Sequence, residues 1–181
     1  TWQSGDETTV RGYKYTYDGL NRMKNGTYGE GSTLAANVNR YSETISNYDK
    51  NGNIGGGYIR WGRLTDGSYG IFNALGLTYN GNQLKFAIDA GSYHPYEGAF
   101  EFKDGASASV EYFYDANGNL TQDLNKGISN ISYNMLSLPS VVTFSDGSTI
   151  TYYYDAEGNK VRVIYNITGE TSLQRNYSNG V

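Results

Sequence analysis

The sequence predicts an all-β protein, an antiparallel meander of hairpins repeated along the chain and folded into a curved, twisted sheet. Three observations carry this reading. Short aromatic runs, each closed by an Asp-led turn, recur as Tyr112–Leu120 (YFYDANGNL) and Tyr152–Val161 (YYYDAEGNKV). The 181 residues hold 24 Gly and 19 Tyr but only 2 Pro, so phenol rings replace an aliphatic core and glycines supply the turns. The turn-opening Asp or Asn falls at 18, 49, 80, 115, 134 and 155, intervals of roughly 20 to 35 residues that suit an array in which each unit buries its face against the next.

In chain order, Val10–Asp18 alternates cleanly, with Tyr13, Tyr15 and Tyr17 on one face of a strand and Asp18 opening the turn. Residues 25–32 (NGTYGEGS) read as a loop, and Leu34–Arg40 has the composition for one helical turn but is too short to stand alone. Strands near 41–48 and 54–61 flank a turn from Asp49 through Gly52 to Asn53, with Tyr48 before it. Asp66-Gly67 is a two-residue hairpin signal between the run ending at Leu64 and the run from Tyr69. Leu77–Leu84 is a degenerate copy turning at Asn80-Gly81, followed by a strand to Tyr93.

The stretch 91–107, around His94-Pro95, breaks the rhythm and reads as an insertion or bulged edge, because Pro cannot donate into a central ladder. Beyond it the pattern is most regular. Strands are expected near 108–114, 128–134, 140–145, 149–154, 160–167 and 171–177, with turns at Asp115–Asn119, Asp146-Gly147, Asp155–Gly158 and Thr168-Gly169. The reading is therefore one continuous repeat domain, divergent over 1–107 and regular over 108–181. The repeat residues are Tyr17, Asp18, Tyr48, Asp49, Gly52, Tyr112, Tyr114, Asp115, Gly118, Tyr152, Tyr154, Asp155 and Gly158. Asp bonds the backbone two residues on, Gly supplies a positive φ, and the tyrosines alternate across a pleated strand.

Composition limits the chemistry. Net charge is −4 and no cluster of Lys or Arg exceeds a pair, so there is no basic face for nucleic acid. Cysteine is absent, which removes disulfides and thiolate metal sites. No apolar run reaches the length of a membrane-spanning helix. The single His94 cannot assemble a zinc site without Cys, and no Gly-x-Ser-x-Gly elbow accompanies it. The Asp49–Asn53 and Asp115–Asn119 loops superficially resemble calcium loops, but no bidentate Glu follows, and turn geometry already accounts for their Asp and Gly. Among carboxylates outside turn signals, Glu43, Asp89, Glu97, Glu101 and Glu111 have no spacing that pairs them for glycoside hydrolysis. The expectation is no catalytic residue, no metal and no cofactor. An aromatic platform for sugar rings from Tyr48, Tyr58, Trp61 and Tyr69, with Tyr93 and Tyr96 alongside, is the alternative to a purely structural role.

These residues resemble the YD-repeat (RHS-repeat) family of bacterial and teneurin-like surface proteins, whose motif runs approximately Tyr-x-Tyr-Asp-x-x-Gly-Arg-Leu. Tyr112–Leu120 and Tyr152–Val161 match it, with Asn119 or Lys160 where Arg is commoner; Tyr15–Met23 keeps Arg22 but has Asn21 for the usual Gly, and Tyr48–Ile54 lacks the first Tyr. Residues 131–152 carry further family character at Ile131-Ser132-Tyr133-Asn134, Leu138-Pro139 and Thr149-Ile150-Thr151-Tyr152. The resemblance implies a secreted or cell-surface β-structure whose strand spirals form a shell around a C-terminal passenger, and for which carbohydrate binding has been described. The segment that ends such a shell, with its cleavage site, is missing, so this stretch reads as cut from a longer polypeptide, with neighbouring repeats as its partners. End strands with unpaired backbone predict an edge-to-edge homodimer, or an edge covered by a loop such as 91–108.

Overall fold

The computed structural model describes residues 1–91 and 95–177 of the chain. The fold is all-β, and the described residues form thirteen strands in two antiparallel sheets. No α-helix occurs among the described residues, and none is therefore long and apolar enough to cross a membrane. The chain divides into two compact units, Thr1–Asp104 and Gly105–Val181.

The first unit holds a six-stranded sheet in sequence order: β1 (Arg11–Tyr17), β2 (Met23–Glu30), β3 (Glu43–Ile45), β4 (Gly56–Arg63), β5 (Tyr69–Asn80) and β6 (Gln83–Asp89). Successive strands joined by short connections pair as antiparallel neighbours. The register sets Tyr13 opposite Tyr28 and Arg60 opposite Asn73, with an irregularity between Arg60 and Trp61. Buried positions include Tyr28, Ile45, Leu64, Phe72, Leu75 and Ala87.

The second unit holds a seven-stranded meander: β7 (Tyr112–Tyr114), β8 (Leu120–Asp123), β9 (Ile128–Tyr133), β10 (Pro139–Phe144), β11 (Thr149–Tyr154), β12 (Lys160–Asn166) and β13 (Leu173–Asn176). A single 3₁₀ turn, Leu124–Lys126, joins β8 to β9; Asp123 caps it and Gly127 ends it at φ 64°. One face gathers Val142, Ile150, Tyr152 and Val163, the last fully buried.

Four local expectations are corrected. Residues 25–32 do not form a loop, because Met23–Glu30 is a full strand. Its glycines make room for large neighbours: a Cβ at Gly26 would sit 3.2 Å from the Tyr15 ring, and Gly29 lies hard against the backbone of Leu34. Leu34–Arg40 is not helical, since Leu34 and Asn37 take positive φ (53° and 56°), which a right-handed turn forbids. The Asp66-Gly67 turn is one residue longer than read. Leu64 N–H donates to Ser68 O and Gly67 (φ 84°) donates back to Leu64 O, the three-residue loop with a glycine bulge. Asp146-Gly147 repeats that arrangement between Phe144 and Ser148. Finally, the strands expected over 41–48 and 108–114 shrink to three residues each, Glu43–Ile45 and Tyr112–Tyr114. Within 91–107 the described residues form no strand, only an isolated bridge between Leu64 and Pro95. Tyr93 and His94 lie outside the described residues.

Candidate functional site

Five of the six turn signals fold into one hydrogen-bonded object. Asp18, Asp49, Asp115, Asn134 and Asp155 each donate their N–H to the carbonyl four residues on, at 2.9–3.0 Å. The residue three on donates back to the opener's carbonyl at 3.0–3.2 Å. That residue has positive φ in every copy. It is glycine at Gly52, Gly118 and Gly158 (85–89°), but Asn21 and Ser137 hold it at 59° and 57°, so the motif tolerates the strained region without glycine. The opener's Oδ1 accepts two further N–H groups, from Leu20 and Arg22, Asn51 and Asn53, Asn117 and Asn119, Leu136 and Leu138, or Glu157 and Asn159. Asn80 is the exception. Gly81 (φ 60°) and Asn82 make a two-residue turn between paired Asn80 and Gln83.

The fourth residue after the opener matches the opener's charge. Behind each Asp stands a donor to Oδ2: Arg22 Nε at 2.7 Å, and Asn53, Asn119 and Asn159 Nδ2 at 2.9, 2.9 and 3.0 Å. Behind the neutral Asn134 stands Leu138, which contributes only its backbone N–H. These bonds stabilise the charged form and hold the four carboxyls below their ordinary value of 3.8. The Asn side chain is the leading cause at Asp49, Asp115 and Asp155, and the Arg22 backbone N–H at Asp18.

The tyrosine immediately before an opener ties its turn to the preceding one. Tyr48 OH donates to Met23 O (2.6 Å), Tyr133 OH to Leu120 O (2.7 Å) and Tyr154 OH to Pro139 O (2.9 Å). Met23, Leu120 and Pro139 each lie five residues beyond the preceding opener, Asp18, Asp115 and Asn134. One offset thus recurs once in the first unit and twice in the second. Burial is the leading reason that the Tyr133 and Tyr154 phenols titrate above 10.0. In the first unit the tie is doubled, because Arg22 lies 4.5 Å over the Tyr48 ring and donates to Asp49 O. Asn53 in turn donates to Gly81 O (3.0 Å), reaching the third turn of the row. The opposite turns of the second sheet are laced as well: Ser145 N–H donates to Gly127 O, and the Thr168 hydroxyl to Asp146 O.

The remaining repeat tyrosines serve differently. Tyr17 is exposed, Tyr112 OH accepts from Asn125 Nδ2 (3.1 Å), and Tyr152 is half-buried opposite Val163.

The four residues read as a sugar platform have different partners. Tyr48 is held by Met23 and Arg22. Tyr58 OH donates to Glu43 Oε2 (3.1 Å), and Trp61 is half-buried past the Arg60 irregularity. Tyr69 instead belongs to a continuous row of rings, Trp2, Tyr13, Tyr15, Tyr28, Tyr41 and Tyr69, with centroid separations of 5.2–6.3 Å. Tyr28 is its buried centre. Its hydroxyl donates to Glu30 Oε1 (2.8 Å), and burial together with that carboxylate pushes its phenol up to about 12. Trp2 and Tyr15 are 45% and 53% exposed.

Of the carboxylates outside turn signals, Asp89, Glu43 and Glu111 are committed to structure. Asp89 accepts from Asn73 Nδ2 and from the N–H groups of Ala74 and Gly91. Glu43 is shared by Tyr58 and Arg60, Glu97 is exposed, and Glu111 is buried and accepts from Asn125 Nδ2 (2.8 Å). A shallow cavity of about 250 Å³ is lined by Tyr41, Arg60, Arg63, Phe72, Tyr96 and Phe100. Its Arg60 is engaged by Glu43, Asn73 and the Phe100 carbonyl. Among the described residues no group of three or more His, Cys, Asp or Glu is placed to hold a metal ion.

Comparison of the chain with protein-family models finds no match, and comparison with curated proteins finds none. The weight of the functional reading therefore falls on the geometry of the turns. Trp2, Tyr28 and Tyr41 of the ring row are given no role by the sequence pattern, and Tyr133 is recognised there only as a repeat residue, without its tie. The available signal for Tyr133 was its place directly before Asn134, the position that Tyr48 and Tyr154 occupy before their own openers.

Proposed function

We propose that this chain is a non-catalytic structural stretch of a secreted or cell-surface repeat protein of the YD (RHS) kind. Its work is to build a β-sheet wall or spacer, which in a longer parent encloses a C-terminal passenger. The observation that carries the proposal is the recurrent tie from a pre-turn tyrosine to the exit of the preceding turn. A device repeated at fixed offset lengthens a sheet by whole hairpins, each bound mainly to its neighbours. The carboxylates bind backbone and side-chain donors in the same hairpins, which fits cohesion better than reactivity.

Duplicating the segment 134–154 in tandem tests this reading. A wall of interchangeable hairpins gains stability and a steeper denaturant dependence from the added unit. An inserted segment that stays unfolded while the rest is unchanged contradicts the proposal.

A second reading, a carbohydrate-binding module on the same scaffold, is favoured by the exposed Trp2 and Tyr15 rings at one end of the row, since stacked rings offer flat apolar faces to sugars. It is tested on a glycan array with Tyr15→Ala and Trp61→Ala. Specific binding lost in Tyr15→Ala supports it, and no binding by the unaltered chain refutes it.

A further inference from the structure

We infer that β13 is an interaction surface for a second copy of this chain, joined about a two-fold axis at Gln174 to continue the seven-stranded sheet across two molecules. The inference does not depend on the family resemblance.

The two outer strands of the first sheet each have main-chain groups taken at one end. On β1, Arg11 exchanges both backbone bonds with Trp2 (2.7 and 2.9 Å). On β6, the Asp89 N–H is taken by Asp104 Oδ2 (2.9 Å). Strand β13 lacks any such cover among the described residues. All four of its residues are exposed, it pairs with β12 without a bulge, and it contains neither Pro nor an acidic residue. These are features that natural edge strands usually avoid.

The direction of its free groups follows from one bond. Tyr177 N–H donates to Val161 O (2.9 Å). Backbone groups alternate sides along an antiparallel strand, so Leu173 and Arg175 also aim at β12, and Gln174 and Asn176 aim N–H and C=O away from the sheet. Those outward groups are complementary to themselves when a second β13 approaches antiparallel.

Side chains select the register. An axis through Arg175 would set two guanidinium groups directly opposite each other in the closer, non-hydrogen-bonded spacing, which is unfavourable. An axis through Gln174 makes that residue a hydrogen-bonded pair with itself and places Arg175 opposite Leu173 of the second copy. Leu173 is 51% exposed, and the aliphatic stem of an arginine covers such a side chain. The contact is small, so association is weak and depends on concentration.

Two measurements on the full chain test this. Sedimentation from about 10 µM to about 1 mM, the range suited to a small contact, is expected to move the average mass toward twice that of the monomer. Gln174→Pro, which removes an outward N–H and the side-chain bond to Asn176 but no bond to β12, is expected to hold it at the monomer. Because the chain has no cysteine, single substitutions to Cys at 173, 174, 175 and 176 report the register independently of how the proline variant folds. Paired Cα atoms on the axis stand about 5.5 Å apart, within disulfide reach. Under oxidised glutathione Gln174→Cys is expected to form covalent dimer at least tenfold faster than the other three. A monomeric chain throughout the range, a Gln174→Pro variant that still dimerises, or fastest trapping at another position overturns the inference.

Discussion

The two sheets reach cohesion by different means. In the first unit, six rings from Trp2 to Tyr69 touch in series, and the row passes through one buried residue, Tyr28, whose hydroxyl engages Glu30. In the second unit cohesion is distributed. Tyr133 and Tyr154 each tie one turn to the last, Ser145 and Thr168 lace the other turns, and the same bonds recur from hairpin to hairpin. The difference teaches that a tyrosine-rich sheet can be held by a centre as well as by a repeated tie. The first unit adds a buried ring to its one tie, Tyr48 to Met23 O, whereas the second repeats the tie, and both sheets accommodate register irregularities.

The sharpest way to break the comparison is at the centre. Tyr28→Ala removes a buried aromatic and one of three side-chain donors to Glu30, which keeps Asn37 and Arg40, and is expected to cost about 3–5 kcal/mol. Both tryptophans, Trp2 and Trp61, lie in the first unit, so fluorescence unfolding by denaturant reads the loss directly. A cost below about 1 kcal/mol would mean that the first sheet is distributed too.

A smaller effect is expected at a repeated turn. Gly118→Ala places a Cβ at φ 85° and is expected to cost about 1–2 kcal/mol, measured by circular dichroism. Asn21→Gly and Ser137→Gly, which relieve the same position, are expected to stabilise.

Titration separates the units further. The Tyr28 phenol is raised from 10.0 to about 12, so its contribution is complete below pH 10 and lost as pH rises from 10 toward 12. Tryptophan fluorescence is expected to lose its native signal in that window, and Tyr28→Phe to remove the contribution of this titration. At the other extreme, the carboxyls of Asp115 and Asp155 are depressed below 3.8. Their stabilisation is present above that value and lost as pH falls through the lower folded values. Asp155→Asn, imitating the natural Asn134 turn, is expected to flatten the acid limb of the second unit's stability, and an unchanged limb would deny the turn carboxylates that role.

Much of the fold was legible in the sequence because turn chemistry is local. Asp49, Asp115 and Asp155 with their glycines announce both the position and the direction of a hairpin, and strands β9 to β12 follow from them. The errors occurred where tertiary contact overrode local preference. Gly26 and Gly29 suggest a loop, yet β2 uses them to admit the Tyr15 ring and Leu34. Leu34–Arg40 has helical composition but is shaped by positive φ at Leu34 and Asn37. The ring row was hidden for a related reason: its members come from the segment before β1, from β1, β2 and β5, and from the β2–β3 connection, and no spacing in sequence joins them. The ties were half visible, since the tyrosine before each opener is evident but its acceptor is a backbone carbonyl, which no side-chain pattern reports.

The central claim, that the pre-turn hydroxyls of Tyr48, Tyr133 and Tyr154 bind their hairpins to the ones before, is tested most directly by two neighbouring residues of β11. Tyr154→Phe deletes the bond to Pro139 O and leaves that carbonyl without its partner, whereas Tyr153→Phe alters a 37%-exposed ring that keeps its stacking with Arg162. Denaturant unfolding followed by circular dichroism is expected to give a loss of about 1–2 kcal/mol for Tyr154→Phe and less than about 0.5 kcal/mol for Tyr153→Phe. Equal losses, or a larger one at Tyr153, would contradict the account.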